Sequence, residues 1–315
     1  MLRLIGRRLV FSAVALIVAT ALIFAATNWL PPDLVNRILG EQATPENVAA
    51  VRAELRLDQP PHQRYLTWIQ NGFKGDFGHS LINGRPVAEV IGPRLWNTLF
   101  LILYAAAIAI PLSALLGVLA AIGRHGLFDK LAGIVTLAAV SMPEFLIGYL
   151  LMLYLAVQFR WFPAIVTYRP EESLIEHMHA MLLPMLTLLV VVFAHVARGI
   201  RSSMLAIMGS PYVEMAMLKG LSRQRIVGHH ILPNALPSII NIAALYLGYL
   251  IVGVVVVETV FTYNGLGRLM VDAVYKRDVP VVQACSLIFA VVFIGLSLIA
   301  DVMAILTNPR LRRPR

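Results

Sequence analysis

Few side chains in this sequence could do chemistry, and most of them stand inside apolar runs. Three acids, Glu144, Glu258 and Asp301, lie in or beside stretches fit to cross a bilayer. A charge at the bilayer centre costs on the order of 2.5 to 3.5 kcal/mol on insertion scales, so such groups face a protein interior or a wet cavity. For Glu144 and Glu258 a place in a solute path and a place in a helix interface are both open. Asp301 is expected to pair with Arg310 or with a neighbouring helix. His177-Met-His179 and His229-His230 lack further ligands at metal-site spacing, and no H-E-x2-H occurs, so no metal site is expected. No nucleophile stands beside a base at a recognisable spacing, so no catalytic residue is expected either. Cys285 is the one cysteine, which rules out an intrachain disulfide. A G-x4-G-K-[ST] phosphate loop is missing, and so is any Gly-Lys pair. If this chain uses ATP, another chain must hydrolyse it, and no cofactor is expected on this one.

What stands out instead is a polar, basic island over residues 210–235. In it Glu214, Ala216, Gly220, Ile231, Leu232 and Pro233 fall at the spacing E-x-A-x3-G-x10-I-L-P. Ser210 suits a helix N-cap and Pro211 the first helical position. A helix over Pro211 to Leu221 sets Glu214, Met217 and Leu218 on one face. Gly220 suits the stop, where a left-handed residue or a close backbone approach is needed. Ser222 to His230 can start a second short helix, which Pro233 and Pro237 are expected to interrupt. The product is a helix, glycine turn, helix knob suited to pressing on another protein. An ordinary basic loop is the plainer alternative.

The elements that carry the island are set by composition. Hydrophobic residues make up 59% of the 315 and charged residues 14%, against about 25% charged in soluble domains. Mean hydropathy is +0.77. This is an all-α integral membrane protein by composition, and its net charge of +9 serves topology rather than nucleic-acid binding. A spanning helix needs roughly 20 apolar residues, which gives six candidates: Leu9 to Leu30, Thr98 to Ile122, Leu131 to Val157, Met181 to Ala197, Leu236 to Phe261 and Ala284 to Leu306. The first follows Arg3, Arg7 and Arg8 and is too long for a signal-peptide core, so an uncleaved helix is expected. With six spans both termini share a side. That side carries Arg124, Lys130, Arg198, Arg201, Lys219, Arg223, Arg225, Arg310, Arg312, Arg313 and Arg315 besides the first three, against Asp129 and Glu214. The opposite short loops carry Arg160, Arg169, Arg268, Lys276 and Arg277, so the basic excess places both termini in the cytoplasm. Residues 31–95 form the one sizeable external segment. Within it Thr44, Pro45 and Glu46 read as a helix start, and Tyr65, Trp68, Phe73 and Phe77 as an apolar stripe.

Several stretches together are similar to one transporter family. Besides the island, they are Arg198-Gly-Ile-Arg-Ser-Ser-Met-Leu205, Glu258-Thr-Val-Phe261, Gly265-Leu-Gly-Arg268, Arg277-Asp-Val-Pro-Val-Val-Gln283, Asp301 and Asn308-Pro-Arg-Leu-Arg312. Upstream stand Arg7-Arg8-Leu9, Leu57-Asp-Gln-Pro60, Tyr65, Gly75-Asp-Phe-Gly78 and Ser141-Met-Pro143. The chain resembles, over nearly its whole length, the permease subunits of binding-protein-dependent ABC importers of the dipeptide, oligopeptide and nickel group, and within them the first of the two permeases. It departs from the family at Pro31-Pro32-Asp33, where Pro-Gly-Asp-Pro is usual, at Glu214-Met-Ala216, where Glu-Ala-Ala is usual, and in its short loop from Gln158 to Ala180.

The resemblance implies a single transmembrane domain over 1–315 in a bacterial inner membrane, with 198–235 as the cytoplasmic coupling loop. It also implies four kinds of neighbour: a second, similar permease, two cytoplasmic ATPases that hold ATP and Mg, an extracytoplasmic solute-binding protein, and membrane lipid. Glu214, Ala216, Met217, Lys219, Gly220, Leu221 and Arg223 would meet the ATPase, and Leu232 and Pro233 would close the loop. Short peptides are the first substrate expected, with nickel chelates, glutathione, opines and oligosaccharides as alternatives. An ion-coupled secondary transporter is the rival of another class, and it would need acid or histidine relays across several spans.

Overall fold

A computed structural model describes residues 2–28, 44–54, 57–166 and 173–307. The expectations placed on Pro31-Pro32-Asp33, on Arg169 and on the segment from Asn308 to Arg315 lie outside the described residues, so the Arg310 partner considered for Asp301 does too. In chain order the helices are α1 (Leu2–Asn28), α2 (Pro45–Glu54), α3 (Pro61–Phe73), α4 (Val87–Ile122), α5 (Leu127–Ser141) and α6 (Glu144–Leu151). A π-helical stretch, Met152–Gln158, continues α6. Then follow α7 (Leu174–Ala180), α8 (Leu182–Met208), α9 (Pro211–Leu218) and α10 (Arg223–Ile226). A π-helical turn, Val227–Ile231, leads into α11 (Leu232–Val260), and α12 (Leu266–Lys276) and α13 (Val279–Thr307) close the chain. The one strand-like contact among the described residues is a bridge between His79 and Pro86.

Five helices are long and apolar enough to cross a membrane, and α5 with α6 makes a sixth span if the pair is counted as one. The six expected spans are therefore present, with three corrections. Leu131 to Val157 is not a continuous rod, because α5 and α6 meet at 104°. Pro143 explains the break: its ring bars Met142 from the helical region, and Met142 is extended at φ −94°, ψ 133°. The fourth span does not end at Ala197, since α8 runs on to Met208 and the basic residues from Arg198 onward project from a helix, not a loop. An apolar run measures the hydrocarbon crossed, and a helix of good formers such as Met, Leu and Ala outlasts it. Likewise α4 begins at Val87, well before Thr98.

The core lies where α4, α8 and α11 pack, around Leu101, Ala105, Leu188, Ile200 and Val254. Close approach is bought with small residues: a Cβ at Gly117 would stand 2.6 Å from the Ala197 carbonyl oxygen. At the rim α1 lies antiparallel to α13 and is tied at two heights. Arg8 pairs with Asp301 at 2.9 Å, and Gln283 donates to the Thr27 hydroxyl at 2.7 Å. Arg8 and Thr27 are about 28 Å apart along the helix at 1.5 Å per residue, close to the hydrocarbon thickness of about 30 Å. Alternation of the spans then puts the start of α1, the end of α13 and the α9–α10 segment on one face.

On the opposite face α3 rests on α1 through Tyr65 and Trp68 around Phe24, and Tyr65 shares a hydrogen bond of 2.9 Å with Thr20. Phe73 leaves the expected stripe; it is 85% exposed. The turn from Ser80 to Arg85 is latched to the start of α13, where Asp278 accepts from the Ser80 hydroxyl and from the Leu81 N–H. Ser173 and Glu176 cap α7 reciprocally.

Candidate coupling site

The knob begins where α8 ends. Ser210 is extended at φ −79°, ψ 147°, with Pro211 as the first helical residue, as the sequence suggests. Its hydroxyl makes no cap; it turns back to the Ile207 carbonyl at 2.5 Å, and the Ser210 carbonyl accepts from Val213 and Glu214. Glu214 sits in the first turn, where a carboxylate favours the positive end of the helix dipole.

The helical period then splits α9 into two faces. Val213 and Ala216 point inward and join Ile226, Ile231, Met204 and Ala235 in the core. Ala216 is 6% exposed, which corrects its expected place on the docking surface: it anchors the knob from below. Leu221 is half-buried against the same core and also positions. Outward face Glu214, Met217, Lys219 and Gly220, and beside them Tyr212, Met215 and Leu218, the last 77% exposed. Tyr212 and Met215 escaped the sequence reading because neither shares the Glu214 face. They flank the buried face of Val213 and Ala216 and keep their rims exposed.

Gly220 ends α9 in a left-handed conformation, φ +75°. The Leu221 N–H reaches back to the Ala216 carbonyl at 3.3 Å and the Gly220 N–H to Met217 at 2.9 Å, the two bonds of a Schellman stop. A Cβ there would meet nothing within 4 Å, so glycine is required by backbone conformation and not by space.

Arg223 does not project freely. Its guanidinium donates to the carbonyl of Ile122, the last residue of α4, which places a cation at a helix C-terminus and ties the knob to another span. A second tie runs alongside: Asp129 at the start of α5 accepts twice from Arg201 of α8, at 2.5 and 2.8 Å, and once from the His125 N–H. Sequence reading had used Asp129 and Arg201 only as topological charges.

Leu232 and Pro233 do not close a loop, and neither Pro233 nor Pro237 interrupts a helix. The chain is helical from Arg223 through Val260: the wider Val227–Ile231 turn absorbs the missing N–H and the ring of Pro233, which sits in the first turn of α11, and Pro237 is carried inside α11. Asn234 satisfies the His230 carbonyl with its side-chain amide at 2.7 Å.

The three acids separate in role. Asp301 is paired with Arg8, on a neighbouring helix. Glu258 is fully buried and works as a lock: it accepts from the Thr98 hydroxyl at 2.5 Å and from the Arg268 N–H at 3.0 Å, and Gly267 donates as well. The Thr98 oxygen in turn takes the Leu266 N–H at 2.8 Å, so α4 and α11 together satisfy the first turn of α12. Gly265 and Gly267 leave room for the carboxylate and for Val255. Glu144 stands at the α5–α6 break against Gly253 of α11. No group of metal-ligating side chains occurs among the described residues.

A bundle of five to six apolar helices that carries a short helical knob beyond its apolar zone is the architecture of an integral membrane protein. The chain belongs to the binding-protein-dependent transport system inner membrane components, the permeases of ABC importers: that family's profile matches residues 113–313, and the profile of its N-terminal part matches residues 1–102. It is 34% identical over 312 residues to the glutathione transport system permease protein GsiC of Escherichia coli K12, covering 99% of each chain. The Salmonella typhimurium LT2 protein of the same description is 35% identical over the same length, again with 99% of each chain covered.

Proposed function

We propose that this chain is one of two permeases in an ATP-driven importer of short peptides, with glutathione, itself a tripeptide, the first cargo to test. The α9 knob would face the cytoplasm and seat in an ATPase subunit, while an extracytoplasmic binding protein delivers cargo to the opposite face. ATP binding closes the ATPases, the knob transmits the movement, and the spans switch between inward and outward access. ATP and Mg belong to the ATPase chains in this scheme.

The observation that carries the reading is the knob itself. A helix with Tyr212, Met215, Met217 and Leu218 exposed has no reason to keep that apolar face in water, yet it is held by two buried anchors, a Schellman stop and the Arg223 tie. The glutathione permeases at 34–35% identity support the cargo. An ion-coupled carrier is less favoured, since the chain belongs to the ABC importer permeases, and Glu258 and Asp301 are spent on fixed structural bonds.

Co-expression with candidate ATPases, a second permease and a binding protein from the same genome tests the reading. Affinity-purified wild type should retain the ATPases, and Leu218→Asp should release them while the second permease stays bound. Proteoliposomes should take up glutathione or trialanine only with ATP inside and binding protein outside. Uptake driven by an ion gradient without ATP would overturn it.

A further inference from the structure

Five polar side chains form a column at membrane depth along the seam of α8 and α11. At its upper end is Glu144, whose carboxylate oxygens lie 2.9 and 3.2 Å from where a Cβ of Gly253 would stand, so the glycine makes room for the acid. One turn down the same face of α11 is Tyr249, 58% exposed, with its ring 5.3 Å from that of Tyr246. Tyr246 stacks on His195 of α8 at 5.3 Å and 22°. Arg198 follows one turn further along α8 and is exposed. Its neighbour Arg201 is committed to Asp129, whereas Glu144, Tyr249 and Arg198 have no side-chain hydrogen bond or ion pair among the described residues.

That is the reverse of Glu258 and Asp301, the other acids of the spans, which are hydrogen-bonded or paired. Gly253 is about 10.5 Å below the end of α11, so Glu144, the two tyrosines and His195 lie within the hydrocarbon zone of about 30 Å, and Arg198, about 24 Å along α8 from Leu182 and just past the apolar run that ends at Ala197, stands at its edge. Unpaired ionisable groups at that depth face a wet cavity or a solute path, not lipid. The column is also polar in a directional sense, with an acid at one end and a guanidinium at the other. From Gly253 to Tyr246 is about 10.5 Å along α11, and from His195 to Arg198 about 4.5 Å more along α8, about 15 Å in all. An extended chain of four to five residues spans about that length, and the reach of the Glu144 and Arg198 side chains brings their charges within range of a shorter one.

We infer that Glu144, Tyr249, Tyr246, His195 and Arg198 are this subunit's wall of the translocation path, and that they take a short zwitterionic peptide with its ammonium group toward Glu144 and its terminal carboxylate toward Arg198. The tyrosine and histidine rings between them offer faces and donors that suit a peptide backbone whatever its side chains. This rests on the importer reading above.

Cysteine accessibility in the assembled importer tests it. Cys285 is buried, so the unmodified chain gives the background for a membrane-impermeant methanethiosulfonate reagent. Tyr249→Cys should react well above that background, and S-methylglutathione delivered by the binding protein should slow the reaction; Leu22→Cys, exposed on the rim helix α1, should stay near background. Arg198→Gln should lower S-methylglutathione uptake by roughly 10- to 100-fold, the loss of one charge-assisted bond, and Arg198→Lys should recover most of it. Retention of the ATPases on gel filtration shows that each variant has assembled. If Tyr249→Cys reacts no faster than Leu22→Cys while the unmodified importer still takes up the peptide, the column is not the path and the importer reading stands. If the unmodified importer moves neither S-methylglutathione nor trialanine, the peptide reading itself fails, and fast labelling at Tyr249→Cys would still uphold the wall for another cargo.

Discussion

Gly220 is the sharpest single test of the knob. Its φ of +75° is a conformation that an L side chain reaches at a cost of about 1–2 kcal/mol, and since an added Cβ meets nothing, that cost is the whole penalty for alanine. The two bonds of the Schellman stop then either persist under strain or are lost with the turn. An isolated helix as short as α9 is marginal in water, so its shape depends on that stop and on the buried Val213 and Ala216. A penalty of this size lowers the population of correctly turned knobs by roughly 5- to 30-fold. Substrate-stimulated ATP hydrolysis and uptake in proteoliposomes should fall in the order Gly220, Gly220→Asn, Gly220→Ala, Gly220→Val. Asparagine tolerates the left-handed region, and a β-branched residue tolerates it least. The melting temperature of the chain should barely move, because the anchors and the core are untouched. Equal activity in the alanine and valine variants would refute the reasoning, and so would an asparagine variant as poor as valine.

Three further outcomes follow from the opposite face and from the bent span. Thr98→Val strands the buried Leu266 N–H and removes one donor to Glu258, and should destabilise the chain by about 1–3 kcal/mol; reaction of the buried Cys285 with a thiol-reactive fluorophore during heating reports it. Gly267→Ala places a Cβ 2.7 Å from the Val255 Cα, a backbone neighbour that cannot swing aside, and should cost about 1–3 kcal/mol in the same assay, whereas Gly6→Ala, with nothing within 4 Å, should be neutral. Pro143→Ala restores an N–H and frees Met142 to become helical, so spin labels at Leu131 and Leu153 should move apart in a pulsed dipolar measurement; an unchanged distance would assign the 104° break to tertiary packing instead.

The spans were legible because hydrocarbon thickness dictates apolar length, and Gly220 because a left-handed stop has few chemical solutions. Ser210 and Pro211 fell where capping preferences put them. Other features were hidden for identifiable reasons. Pro143 was visible, yet a proline inside a span can kink a helix or break it, and only the extended Met142 distinguishes the two. Pro233 and Pro237 posed the converse problem, since nothing in their local sequence announces a π-helical turn before the first or an unbroken helix through the second. Ala216 and Glu214 belong to one spacing motif, but they face opposite ways, because a motif records order and a helix assigns direction. The Glu258–Thr98, Asp129–Arg201 and Arg8–Asp301 partnerships join residues far apart in sequence, so no local rule could pair them.

The Glu258 lock has a mechanical meaning beyond its hydrogen bonds. With 29 residues, α11 is a rod about 43 Å long. One end rises directly out of the π-helical turn at the knob, and the other is pinned through Glu258 to α12 and through Thr98 to α4. The two faces of the membrane are thus joined by a single helix, pinned at one end to α4 and α12. A tilt of about five degrees about its knob end displaces the pinned end by about 4 Å, and α12 and the Thr98 end of α4 must travel with it. In the importer proposed above, movement at the motor side would be delivered to the cargo side by leverage along one helix, with no relay of side-chain rearrangements in between.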